Sequence, residues 1–283
     1  EIALGGRSIM RFMDQSLHSV YVVVTADGCS PLHWIFDYLS KLRIRQFTII
    51  TSCEKALRDV PLRAKIQRVS HISTDKIYAS LLRKLDESHM YRNDDIIFFI
   101  HAELDAGKEY FRAEEVVNAA DVRGFGCHRK PYCSAHCRLV YQPTVLHLQD
   151  EWSSFSVPYY EGDKNQTLGD WMSTIGVPIR PALIPVCYGR SFAFRIKELS
   201  NQKHEVWKNL EKSLADGAVP LYFVERSWAM LLSQPLSYEV TEALMERAVS
   251  VLKEDQRELD TTGQGSVRHW QSEMKGMLLW PLH

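Results

Sequence analysis

Apolar residues recur along the first third of the chain in two alternating patterns. Short continuous runs, rich in β-branched residues, are typical of strands buried on both faces. They predict strands at residues 20–25, 47–51 and 96–100, and a short one at 65–69. Apolar residues at helical spacing predict a helix that begins near Pro31 and a second that Ser73 or Thr74 caps. This alternation predicts an α/β fold with a mostly parallel sheet, flanked by helices and joined by right-handed crossovers.

The pattern changes beyond the first third. Residues 124–185 are irregular, and their only strand candidates are short, at 138–141 and 145–148. A stretch of this length without regular structure is usually a functional loop. Residues 195–254 are helical in pattern, with helices predicted at 196–214, 223–232 and 237–253. We therefore predict one α/β domain over residues 1–260, followed by a joint and a helical tail over 261–283.

The ends of the predicted strands carry the first candidate chemistry, because α/β sheets bind ligands beyond the carboxyl ends of their strands. Polar residues follow three of these ends: Thr25, Asp27, Ser52, His101, Glu103 and Asp105. Glu103 and Asp105 are two positions apart, so both carboxylates can point the same way. Such a pair suits Mn²⁺ or Mg²⁺ bound together with substrate phosphates. The alternative is that the two acids only cap the turn before the next helix.

Two longer stretches resemble a known family. Residues 20–53, read as strand, Pro-Leu-His-Trp-Ile helix and strand, resemble the opening of a nucleotide-sugar glycosyltransferase of the GT-A type. Those enzymes place an Asp-x-Asp motif or a variant after a strand like 96–100, and the matching stretch here is His-Ala-Glu-Leu-Asp at 101–105. Residues 187–194, then a helix, then 222–228 are similar to a functionally obscure, largely fungal family with a glycosyltransferase-like domain.

The resemblance implies a GT-A-like, Rossmann-like fold and a transferase that takes a group from a phosphate-activated donor, first of all a nucleotide sugar. It implies that Thr25, Asp27 and Ser52 lie near the nucleoside, and that Gly189 and Arg190 belong to the donor site. It also implies that Asp105, with Glu103 or His101, holds Mn²⁺ or Mg²⁺.

Glu225 is the general base that the resemblance implies, or else a partner for a substrate amine. The residue types alone leave another interpretation open, an ion pair of Glu225 with Arg226 or another neighbouring cation. The role of Gly189 also has two interpretations. It would allow a close backbone approach to the donor, or it is a turn glycine.

Metal-ligating residues also cluster in the irregular middle region, at Cys127, His128, Cys133, His136 and Cys137. A structural Zn²⁺ takes four such ligands. The spacing matches no standard zinc motif, so a disulfide inside the loop and unbonded packing residues stay open as alternatives. The chain has 6 cysteines in 283 residues, too few for a disulfide scaffold, and we expect reduced thiols.

Charge is balanced in total but not along the chain. The formal net charge is −1, which excludes a protein that is basic all over. Residues 41–68 nevertheless carry 8 cations against 2 acids, and residues 123–142 add 4 cations without an acid. This region could bind the phosphates of a nucleotide or of RNA. The alternative is a solvated surface that the acidic stretch 94–121 balances.

Three classes of function follow. The first is the nucleotide-sugar transferase. The second is a tRNA-dependent synthase of arginine-containing cyclic dipeptides, in which Glu103, Asp105 and Glu225 bind a guanidinium or an amine. The third is a non-catalytic binding module. No apolar run reaches the roughly 18 residues of a membrane span. The sequence begins at Glu1 without Met, so we expect a trimmed upstream segment, and we expect a cytoplasmic location.

Overall fold

The computed structural model describes residues 19–102, 112–127, 141–143, 167–177, 183–187, 190–215, 221–234 and 237–246, with short gaps inside the first and last of these ranges. Its strands are β1 (Val20–Ala26), β2 (Ile44–Thr51), β3 (Lys65–Arg68), β4 (Ile96–His101), β5 (Phe125–Cys127), β6 (Tyr141–Pro143), β7 (Leu183–Pro185) and β8 (Phe192–Arg195). Its α-helices are α1 (His33–Leu39), α2 (Thr74–Asp86), α3 (Ala113–Arg123), α4 (Leu168–Thr174), α5 (His204–Ala215) and α6 (Leu221–Leu232). Short 3₁₀ segments occupy Glu54–Leu57 and Ile196–Asn201.

The main sheet has the strand order β3-β2-β1-β4-β8-β5 among the described residues. The first four strands are parallel to one another, whereas β8 is antiparallel to both of its neighbours, β4 and β5. The predicted α/β class with a mostly parallel sheet is confirmed. Strand order reverses between β1 and β4, because the chain moves outward from β1 to β3 and then returns to the other side of β1. Such a reversal is the topological switch point at which α/β sheets bind ligands.

The central strand β4 is buried at every position because both faces of the sheet are covered. Its residues alternate between two apolar clusters, as the period of two requires. Ile96, Phe98 and Ile100 pack with side chains of α1 and α3. Ile97 and Phe99 pack with side chains of α2, α4, α5 and α6.

The helical part of the chain departs from its prediction at one point. The helix predicted over 196–214 is divided into the 3₁₀ segment Ile196–Asn201 and α5, with Gln202 in an extended conformation between them. The Ser200 hydroxyl donates to the carbonyl of Lys197 at 2.7 Å, and the Asn201 amide donates to Glu198 at 3.0 Å. Side chains of these types compete with helical backbone bonding, which explains the break.

The other predictions for this half of the chain have mixed outcomes. The helix predicted at 223–232 is confirmed as α6, and residues 238–240, 242, 243 and 246 are helical within the one predicted from 237. Of the strand predicted at 138–141, only Tyr141 is described, as the first residue of β6. Residues 138–140, 145–148 and 261–283 lie outside the described residues, and the domain boundaries stay a prediction. No helix in the described ranges is long and apolar enough to span a membrane.

A disulfide joins Cys29 to Cys53, so the prediction of reduced thiols is wrong for this pair. Cys29 follows β1 and Cys53 follows β2, so the bond links the carboxyl ends of two neighbouring parallel strands. Thr51 links the same two ends, because its hydroxyl donates to the carbonyl of Ala26 at 3.0 Å and accepts from the Cys53 amide at 3.0 Å.

A substitution at Gly126 tests the packing of β5 on α3. A Cβ at this position would lie 2.1 Å from the carbonyl oxygen of Val116, a backbone atom that cannot rotate away. We expect Gly126→Ala to lower the free energy of unfolding by about 2–3 kcal/mol, as overpacking does. The melting temperature, read by differential scanning fluorimetry, should then fall by roughly 4–10 °C.

Gly28→Ala is the matched control, because nothing lies within 4 Å of the Cβ it would add. Its melting temperature should stay close to that of the wild type. Equal melting temperatures for the two variants would contradict the described packing of β5 on α3.

Candidate functional site

Polar side chains are buried or half-buried at the carboxyl ends of β1 and β4, in an otherwise apolar part of the molecule. They come from β1, the first turn of α2, the end of β4, the residues before β8, and α6. We call this set the switch-point cluster: Thr25, Thr74, Asp75, His101, Arg190, Ser191 and Glu225. Because buried polar groups are costly when unpaired, their mutual contacts define the site.

A chain of hydroxyl groups joins the cluster to the core. Thr74 donates to the hydroxyl of Thr25 at 3.2 Å, and that hydroxyl lies 3.2 Å from the phenol oxygen of Tyr78. Tyr78 in turn donates to the carbonyl oxygen of Arg190 at 3.0 Å. The Tyr78 ring is fully buried and stacks on Phe99 with centroids 4.3 Å apart. The core therefore fixes the backbone of Arg190.

Asp75 and Arg190 form the central ion pair, with 3.0 Å between carboxylate Oδ2 and guanidinium Nε. The Asp75 side chain is 0% exposed and that of Arg190 is 27% exposed. Burial raises the pKa of Asp75 to about 6, and the negative charge of Glu225 adds to the rise, while Arg190, the indole of Trp228 and His101 oppose it. The cluster thus contains a carboxyl group that titrates near neutral pH.

His101 and Ser191 meet because β8 is antiparallel to β4. The residues that precede β8 consequently lie at the carboxyl end of β4. The backbone N–H of His101 donates to the hydroxyl of Ser191 at 3.0 Å, and both residues are buried. Glu225 is half-buried in α6, close enough to Asp75 for its charge to act on that carboxyl group.

The structure brings together four of the residues predicted from the sequence, Thr25, His101, Arg190 and Glu225. The Thr25 side chain is fully buried beneath its hydrogen-bond partners. Ser52 is exposed at the end of β2. Asp27, Glu103, Asp105 and Gly189 lie outside the described residues, and their predicted roles stay predictions.

The metal predictions fall largely outside the described part of the chain. Of the Mn²⁺ or Mg²⁺ ligands His101, Glu103 and Asp105, only His101 is described. Of the Cys and His cluster, only Cys127 is described, as a half-buried free cysteine of β5; His128, Cys133, His136 and Cys137 are not. The described residues contain no group of three His, Cys, Asp or Glu side chains that could hold a metal ion.

The cations of the basic region 41–68 are divided between the amino ends and the carboxyl ends of the strands. Arg43 and Arg45 lie at the amino end of β2, which is the end away from the switch-point cluster. Lys55 and Arg68 lie near the carboxyl ends of β2 and β3. Arg68 pairs with Glu54 at 3.1 Å, with both side chains exposed.

Sequence reasoning missed Asp75, Tyr78 and Ser191. The sequence pattern predicts only that Ser73 or Thr74 caps α2, yet Ser73 makes no side-chain capping bond and Thr74 turns to Thr25. A usable signal was present. A helix that follows a parallel strand begins at the carboxyl edge of the sheet, so Asp75 was on the ligand edge by topology alone.

Comparisons with known proteins add no functional argument. No family model matches the chain. No curated protein matches it either. A solved structure that it resembles, titled a 4-diphosphocytidyl-2C-methyl-D-erythritol synthase, is 13% identical with a TM-score of 0.31, over 72% of this chain and 86% of that one. A likeness this low carries no conclusion about activity.

The raised pKa of Asp75 predicts a pH dependence of stability. Unfolded Asp75 loses its proton near pH 3.8, whereas native Asp75 keeps it up to about pH 6. Between these values the unfolded state binds fewer protons, so this group makes the free energy of unfolding fall as pH rises. Relative to Asp75→Asn, the free energy of unfolding of the wild type should fall by about 2 kcal/mol between pH 4 and pH 7.

Urea unfolding of both proteins at several pH values measures this difference. Asp37→Asn, at an exposed position of α1, is the control, and its difference from the wild type should stay constant over the same range. A constant difference for Asp75→Asn would show that Asp75 has an ordinary pKa.

Proposed function

We propose that this chain is a transferase that takes a group from a phosphate-activated donor, in the first place a nucleotide sugar. The donor would bind at the switch point between β1 and β4. The observation that carries the proposal is the switch-point cluster, a buried polar set at the one edge of the sheet where such folds bind ligands. Arg190 supports it, because a guanidinium is suited to two-point recognition of phosphate.

Glu225 supports a transfer mechanism as general base. In the proposed reaction a hydroxyl of the acceptor forms a bond to the anomeric carbon of the donor, and the bond from that carbon to the diphosphate oxygen breaks. The hydroxyl proton moves to the Glu225 carboxylate, and the nucleoside diphosphate leaves with the bonding electron pair. Glu225 is half-buried and close enough to Asp75 for its charge to act on that group, so its carboxylate belongs to the switch-point cluster.

The proposal includes two metal sites: Mn²⁺ or Mg²⁺ at His101, Glu103 and Asp105, and Zn²⁺ at the Cys and His cluster. The tRNA-dependent synthase and the non-catalytic module are the alternatives: tRNA alone would stabilise the first, and the second would bind a donor without releasing free nucleotide from it.

Donor binding is tested by thermal shift with UDP-glucose, GDP-mannose and CDP-choline, each with and without Mn²⁺ or Mg²⁺. At 100 times its dissociation constant a bound donor stabilises the native state by about 2.7 kcal/mol, which corresponds to a rise in melting temperature of roughly 5 °C. Uridine, which lacks phosphate, is the control and should give no shift. If no nucleotide shifts the melting temperature, while copurifying tRNA does, the nucleotide-sugar proposal fails and the tRNA-dependent alternative takes its place.

The general base is tested by Glu225→Gln, which keeps the shape of the side chain and removes its charge. Release of the free nucleotide from the donor should slow by about a hundredfold or more, the usual contribution of general base catalysis. The thermal shift on donor binding should remain. Glu205→Gln, at an exposed position of α5, is the control and should turn over like the wild type. Unchanged turnover in Glu225→Gln would remove Glu225 from the mechanism.

A further inference from the structure

We propose that Asp75 is a positioning residue, which holds the guanidinium of Arg190 towards the switch point so that Arg190 can bind the diphosphate of the donor. This inference rests on the proposed function, since it names the groups that would recognise the activated part of the donor. It assigns a role to a residue that the sequence pattern does not single out.

The geometry of the ion pair is the first argument. Asp75 contacts Arg190 through Nε, the inner nitrogen of the guanidinium, at 3.0 Å. The contact is one of opposite charges and does not have the geometry of a hydrogen bond. It holds the guanidinium of Arg190 beside the first turn of α2. Phosphate oxygens are commonly bound two at a time by one guanidinium, so a guanidinium that is held in place is suited to bind phosphate.

The backbone of Arg190 is held independently of its side chain. Tyr78 donates to the Arg190 carbonyl oxygen, and its ring is fixed by stacking on Phe99. Asp75 and Tyr78 lie three residues apart on α2 and so share one face of that helix. One rigid element thus fixes both ends of Arg190, which lowers the conformational entropy that its side chain loses when a ligand binds.

Burial distinguishes the roles of the two partners. Asp75 is 0% exposed and cannot contact a donor, whereas Arg190 is 27% exposed and can. A buried carboxylate is also a poor source of stability, since apolar replacements of buried ion pairs are often neutral or stabilising. The ion pair is therefore better explained by the position that it gives the Arg190 side chain than by a contribution to the stability of the fold.

The side chain of Arg190 can be observed directly. The Nε–H signal of Arg190 in a nitrogen–proton correlation spectrum is identified by its loss in Arg190→Lys. It should shift in Asp75→Asn, and it should stay unchanged in Asp86→Asn. Asp86 is a matched control because it lies on the same helix and contacts another nitrogen-bearing side chain, the imidazole of His204, at 2.6 Å. An Arg190 signal that Asp75→Asn leaves unchanged would overturn the inference.

Affinity gives the second readout, with UDP-glucose, GDP-mannose and inorganic pyrophosphate as probes. Asp75→Asn should weaken binding by roughly three- to tenfold, the cost of ordering one long side chain again. In the Arg190→Lys background the same change should have no further effect, because Asp75 acts through Arg190. Asp86→Asn should bind like the wild type.

The outcomes separate the two proposals. If the wild type binds none of the probes, the proposed function fails and the positioning role fails with it. If the wild type binds a probe and Asp75→Asn binds it equally well or more tightly, only the positioning role is wrong. An equal loss from Asp75→Asn in the wild-type and Arg190→Lys backgrounds would also overturn it, since the effect would then not pass through Arg190.

Discussion

Burial of β4 on both faces is the constraint from which the rest of this structure follows. A strand with no exposed position needs an apolar layer on each side, and the chain supplies α1 and α3 for one face and α2, α4, α5 and α6 for the other. Polar side chains in the middle of such a strand would have no water and few partners. Chemistry is therefore confined to the strand ends, where loops and helix starts bring hydrogen-bonding groups together.

The carboxyl end of the sheet shows how a buried charge is tolerated in these surroundings. Asp75 loses its hydration completely, and the guanidinium of Arg190 compensates only in part, because burial still raises the pKa of Asp75 to about 6. The neighbouring hydroxyl chain ends on Tyr78, which is also a central member of the aromatic core. Core and site thus share a residue, and the geometry of the cluster depends on how well that ring is packed.

The strands of the first third could be predicted because their signal is local. Continuous β-branched runs identify β1, β2 and β4, and Ser73 marks the start of α2. Contacts between distant segments have no such signal. The antiparallel insertion of β8 beside β4 and the disulfide between Cys29 and Cys53 depend on how separate segments meet.

The residues of the candidate site likewise differ in whether the sequence identifies them. Thr25 and His101 could be identified because they end strands, and Arg190 and Glu225 because they lie in stretches that resemble a known family. Topology places Asp75 at the carboxyl end of the sheet, but neither its residue type nor its spacing sets it apart from an ordinary acid at a helix start. An acid in the first turn of a helix is common, since it is favourable beside the helix dipole, and only the three-dimensional contact with Arg190 distinguishes it.

The disulfide between Cys29 and Cys53 closes a covalent ring, because the two cysteines are 24 positions apart and the intervening chain includes α1 and β2. A single cut in the main chain between them, for instance by a protease at an exposed residue such as Lys41 or Arg43, would leave both pieces attached to each other. The amino-terminal piece, which carries β1 beside the switch point, would then be retained by the nicked molecule, and only reduction would release it.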